Sequence, residues 1–88
     1  MAWKIEYTDQ AKRSMSKLDR QSAKRILDYM SERIARHDNP RSLGKALSGE
    51  LGTFWRYRVG DFRIICDIED KVLRILVVRV GNRKEVYR

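Results

Sequence analysis

Four arginines and a tyrosine have the most suggestive spacing in this sequence: Arg56, Arg58, Arg63, Arg83 and Tyr87. Arg56 and Arg58 stand two apart in "FWRYRV", and residues i and i+2 of a strand point to the same side. Arg63 follows Gly60-Asp61, a tight turn, so a hairpin can bring it onto their face. Arg83 comes just past a third apolar run, with Tyr87 near it. Guanidinium groups chelate phosphate oxygens through paired hydrogen bonds and keep their charge near neutral pH. A tyrosine can stack on a splayed base or donate a hydrogen bond. Together these five residues suit an RNA phosphodiester. Exposed arginines also simply solvate a sheet and guard it against edge pairing. Four of them converging on one face, however, repel each other, and a stability-only explanation does not cover that.

The remaining reactive residue types suggest less. His37 adjoins the breaker Asp38-Asn39-Pro40 and reads as loop surface, and Cys66 falls in a strand core row. One histidine and one cysteine cannot supply the usual metal ligand sets, so neither a metal nor another cofactor is expected. Neither a glycine-rich phosphate loop nor a serine triad can be assembled.

Positioning those arginines requires a sheet. Trp3, Ile5 and Tyr7 alternate with polar residues and predict a first strand. Thr8 or Asp9 can cap a short helix over residues 10–18, in which Ala11, Met15 and Leu18 recur at helical spacing. Asp19 can cap a second helix, whose stripe of Ala23, Ile26, Leu27, Met30 and Ile34 ends near Arg36. Residues 41–52 read as a loop anchored by leucines. Strands are predicted at 54–59, 62–68 and 72–80, the last central because it is the most apolar. Trp55, Tyr57 and Val59 should lie under the helices, opposite the arginines. The expected fold class is α+β: β-α-α-β-β-β, an antiparallel sheet with two N-terminal helices on one face.

Bulk properties fit a polyanion-binding domain. The chain has 88 residues and a net charge of +8, which supports one domain spanning residues 1–88 and a modest core. The excess of positive charge is spread along the chain rather than gathered in a tail. Lys12, Arg13, Lys17, Lys24, Arg25, Arg33 and Arg36 read as solvated helix faces that could also touch RNA. No apolar run spans a bilayer and no leader is visible, so a cytoplasmic protein without a membrane partner is expected.

The segments "WKIEYTDQAKRSMSKLD", "KALSGELGTFWRYRVGDFRIICDI" and "ILVVRVGNRKEVYR" together resemble the RelE/ParE toxin superfamily. "RYRVGDFRIIC" and "VGNRKEVY" are the most specific pieces, and the resemblance covers nearly the whole chain. It implies a toxin of a type II toxin–antitoxin system with a cognate antitoxin, a RelE-type enzyme cleaving messenger RNA in the ribosomal A site. It places Arg56 and Arg58 on the basic pair before the hairpin and Arg63 on the phosphate-binding arginine after it. It places Arg83 on the proposed general acid and Tyr87 on the tyrosine that stacks on the substrate nucleotide. The pair is lysine in the best-known RelE-type enzymes, and an arginine is a far poorer base. Two readings compete with the nuclease: a ParE-like inhibitor of DNA gyrase without nuclease activity, and a non-catalytic RNA-binding module.

Overall fold

The computed structural model describes residues 2–47, 54–84 and 86. Its first strand, β1 (Lys4–Tyr7), leads into helix α1 (Asp9–Ser16). Thr8 starts that helix, its side-chain oxygen accepting the Ala11 N–H at 3.1 Å and so satisfying one orphan donor of the first turn. Asp19 does the same for α2 (Arg20–Asp28) through the Ser22 N–H at 3.0 Å. The apolar stripe then continues through a π-helical turn, Tyr29–Ile34. The Ala35 N–H donates to the Met30 carbonyl at 2.9 Å, and the Ala35 carbonyl accepts the Trp3 N–H at 2.7 Å. That wider turn ends the helix beside β1. Of the predicted stripe, Ile26, Met30 and Ile34 are fully buried, whereas Leu27 is 46% exposed.

The connection from α2 to the hairpin strands holds more structure than expected. A 3-10 turn, Pro40–Leu43, runs into a two-residue strand, β2 (Lys45–Ala46), too short for alternation to reveal. Part of the expected loop, 48–53, lies outside the described residues. Next come β3 (Trp55–Val59), β4 (Phe62–Glu69) and β5 (Arg74–Asn82). Gly60 sits in the β3–β4 turn at φ +58, a left-handed conformation that glycine adopts without steric cost.

The described strands form one sheet in the order β1-β5-β4-β3-β2. β2 to β5 run antiparallel, but β1 pairs with β5 in parallel, so the sheet is mixed rather than wholly antiparallel. Short turns favour the antiparallel pairs β3–β4 and β4–β5, whereas two helices separate β1 from the rest and supply the crossover that parallel pairing requires. The α+β class, the two N-terminal helices and the interior place of β5 are as expected.

One face of the sheet carries the core. Tyr57, Val59, Ile64, Cys66, Ile75, Val77 and Val80 pack there against Ala11, Ile26, Met30, Ile34 and Trp3. A fully buried isoleucine of this kind contributes about 1.5–3 kcal/mol. Burial also pushes the Cys66 thiol well above its ordinary value, which suits a packing role rather than a nucleophile.

Candidate nucleic-acid interface

The face of the sheet away from the helices holds the arginines. Register pairs Arg58 with Arg63 across the hairpin, and Arg63 with Gly81 on β5. The neighbouring row runs Lys45, Arg56, Ile65, Arg79. Three of the predicted residues, Arg56, Arg58 and Arg63, thus share one end of one face. Arg58 is exposed, while Arg56 and Arg63 are half-buried. Arg63 is fixed in place: its Nη1 donates to the carbonyls of Gly60 at 3.1 Å and Phe62 at 3.0 Å. A guanidinium carries five N–H donors, so Nε and Nη2 can still chelate a phosphate.

Arg83 lies just beyond β5. Its backbone N–H donates to the Asp61 carbonyl at 3.0 Å, which ties it to the β3–β4 turn, beside the arginine rows. Its exposed side chain lines an open hollow with Asp61, Asn82 and Lys84. Tyr87 lies outside the described residues. Val86 just before it is buried, and its N–H donates to the Asn82 carbonyl at 3.0 Å.

Charge is segregated along this face. At the far end, the guanidinium of Arg74 bonds the carboxylates of Glu69 and Glu6, and Lys4 pairs with Glu6 at 3.1 Å. The bonds to Arg74 hold the Glu69 carboxyl below its usual range. Toward the hairpin, the row of Arg58 and Arg63 and the row of Lys45, Arg56 and Arg79 include no carboxylate. Among the described residues, Arg58 and Arg83 engage none either. Cations gathered beside a neutralised end form a candidate site for an anion.

A wall flanks the site. Ser42, Leu43, Gly44 and Lys45 border a cleft of about 260 Å³ with Arg56 and Arg58. β3 pins this wall from its other side. Trp55 Nε1 donates to the Arg41 carbonyl at 3.0 Å, and the buried Tyr57 hydroxyl donates to the Pro40 carbonyl at 2.7 Å. Arg41 in turn makes a bidentate pair with Asp70, both bonds 2.8 Å, and its guanidinium stands 5.9 Å from the centre of the Trp55 ring. Gly44 permits the close approach, because a Cβ there would collide with the Arg56 carbonyl and stand 2.8 Å from Trp55 Cδ1.

Lys45 and Arg79 belong to this surface, and sequence reasoning did not single them out. Strict alternation from Ile75 and Val77 would turn Arg79 toward the helices. The register instead slips by one residue on β5, from Cys66 opposite Val77 to Ile65 opposite Arg79. Such a bulge inverts the facing of everything beyond it. Val80 and Arg79, an apolar and a charged residue whose facing strict alternation would reverse, were the available signal. Among the described residues, no group of three or more His, Cys, Asp and Glu side chains is gathered to hold a metal ion.

The chain and its fold are similar to known toxins. The family model for the ParE toxin of type II toxin–antitoxin systems matches residues 5–87. Toxin RelG of Mycobacterium tuberculosis is 26% identical over 88 residues, covering 100% of this chain and 99% of RelG. Toxin RelE of the same organism is 26% identical over 84 residues, covering 96% of this chain and 84% of RelE. The toxin–antitoxin complex RelBE2 of Mycobacterium tuberculosis contains a chain that superposes with a TM-score of 0.87 at 24% identity, covering 94% of this chain and 100% of that one. A mutant E. coli toxin RelE in the free state gives 0.77 at 19% identity, with 99% and 92% covered. The match over almost the whole chain, on this fold, means that the protein belongs to the ParE toxin family of type II toxin–antitoxin systems, within the RelE/ParE superfamily that its motifs resemble.

Proposed function

We propose that this toxin is a ribosome-dependent endoribonuclease that cuts messenger RNA in the ribosomal A site and so stops translation in the cytoplasm. The observation that carries this reading is the pairing of Arg58 with Arg63 on one face of the sheet, next to Arg56. The similarity to toxins RelG and RelE points the same way.

In this mechanism the 2′-oxygen on the 5′ side of the cut attacks the adjacent phosphorus. The P–O5′ bond breaks, leaving a 2′,3′-cyclic phosphate and a 5′-hydroxyl. The proton of the 2′-hydroxyl goes to solvent and the 5′-oxygen gains one. Arg58 and Arg63 hold the phosphate oxygens, where charge grows in the phosphorane. Because Arg63 is already bonded to the turn, it reorganises little as that charge develops. Arg56 lies nearer the attacking hydroxyl and lowers its pKa by charge. Arg83 faces the leaving oxygen, and Tyr87 stacks on the base to set the in-line angle. Fixed cations do the work here more than proton transfer to a side-chain base, and the route uses no metal. The surface is open rather than pocket-like, so the ribosome must hold the RNA in reactive geometry.

The partner that restrains it is an antitoxin, acidic or amphipathic, since a strongly basic chain associates fastest with an acidic one. The structures of toxin–antitoxin complexes RelBE2 and RelBE among its structural neighbours support this. The matching family is named for ParE, so inhibition of DNA gyrase is the second reading. Mapping transcript ends by primer extension after brief induction in bacteria separates the two. New ends within translated codons are the expected result, whereas arrested replication with intact transcripts would favour gyrase.

A further inference from the structure

The bulge in β5 completes a second row of cations beside the pair of Arg58 and Arg63. From β2 to β5 this row reads Lys45, Arg56, Ile65, Arg79. Strands lie about 4.8 Å apart, so it extends about 14 Å across the sheet. Its separation from the row of Arg58 and Arg63 is one same-face step along the strands, about 6.7 Å. That is comparable to the distance between consecutive phosphates on an extended RNA strand.

Three further features point to a built arrangement. The bulge is anchored: Thr8 donates its N–H to the Val77 carbonyl at 3.0 Å and its hydroxyl to the Val78 carbonyl at 3.3 Å, satisfying both groups at the slip. Ile65 is fully buried although it lies on the face away from the helices and outside the main core. A buried apolar residue between two arginines of one row is a floor over which their aliphatic stems can lie. Finally, Lys45 extends the row from the pinned wall, where it lines the cleft with Arg56 and Arg58.

We propose that Lys45 and Arg79, on either side of Arg56, are substrate-contacting residues that hold the RNA phosphate adjacent to the scissile one. This deepens the nuclease reading and rests on it for the place of the scissile phosphate. The row itself makes a binding claim that can be tested separately. On it the strand crosses the sheet with one phosphate between Arg58 and Arg63 and its neighbour one row further from the hairpin. Lys45 and Arg79 therefore contribute to binding and register more than to the chemical step.

The test measures binding of a short fluorescent single-stranded RNA to the full chain across salt concentrations, by anisotropy. Variants are Lys45→Gln, Arg79→Gln and the double, with Lys71→Gln, an exposed residue of the β4–β5 turn, as the control of equal charge change. Each lost phosphate contact lowers the slope of log Kobs against log salt by about 0.7 for a single strand. We expect that decrease from each single variant, about twice it from the double, and none from Lys71→Gln. Slopes equal to wild type, or an equal change from Lys71→Gln, would overturn the row. Cleavage on programmed ribosomes, run in parallel, reads the nuclease claim. There the two single variants should raise KM while leaving kcat within a few-fold of wild type. If the wild-type chain fails to cut yet the slopes change as expected, the row stands and the nuclease reading falls.

Discussion

Arg63 and Arg83 carry the chemical part of the proposal in different ways. Arg63 is held by two backbone carbonyls of the hairpin, so its charge is placed before substrate arrives. Removing one such fixed donor typically costs about 10²–10³ in rate. Arg63→Ala and Arg83→Ala should each fall in that range in single-turnover cleavage on programmed ribosomes. Arg56→Lys should keep substantial activity, since a lysine preserves the charge beside the attacking hydroxyl. Near-wild-type rates for both alanine variants, or a product with a 5′-phosphate, would remove the mechanism. At this scale the common face of Arg56, Arg58 and Arg63 was legible in the sequence, because the i, i+2 spacing of Arg56 and Arg58 and the two-residue turn before Arg63 fix it. Arg79 was not, because its facing depends on a slip in pairing that involves Cys66 and Thr8, both remote in sequence. Lys45 was hidden in a strand of two residues.

Among the elements, β3 does two jobs with its two faces. Arg56 and Arg58 look toward the site, while Trp55 and Tyr57 pin the Pro40–Leu43 turn that walls it. Tyr57→Phe leaves the Pro40 carbonyl without its buried donor and should cost about 1 kcal/mol. For a domain of this size that lowers Tm by about 4–8 °C, and an unchanged melting curve would show that the pin is unimportant. The Arg41–Asp70 pair latches the same turn to the start of β5. Bonding to Arg41 holds the Asp70 carboxyl below its usual value, so the pair stabilises the fold above the ordinary carboxylate range. That contribution disappears as pH falls through the depressed value. Asp70→Asn should therefore lower Tm at pH 7, and its gap from wild type should close in strong acid. A gap independent of pH would mean that the latch is not ionic. Alternation and caps revealed α1, α2, β3 and β4, because each is a local pattern. The parallel pairing of β1 and the π-helical end of α2 were hidden, since both are set by long-range docking of Trp3 against Ala35 and of β1 against β5.

On the scale of the whole molecule, the fold gathers Lys45, Arg56, Arg58, Arg63 and Arg79 of a chain of net charge +8 on one face of a sheet. The helices cover one face of that sheet, and the Lys4, Glu6, Glu69 and Arg74 cluster neutralises the far end of the other. What remains is a shallow cationic surface, and the proposed mechanism therefore relies on the ribosome to present RNA to it. The most direct test compares the same messenger RNA, naked and on a programmed ribosome, incubated with the antitoxin-free chain, with end-group analysis of the products. We expect cuts only on the ribosome, leaving a 2′,3′-cyclic phosphate or 3′-phosphate and a 5′-hydroxyl. Equal cutting of naked and ribosome-bound RNA, or no cutting of either, would contradict a ribosome-dependent nuclease.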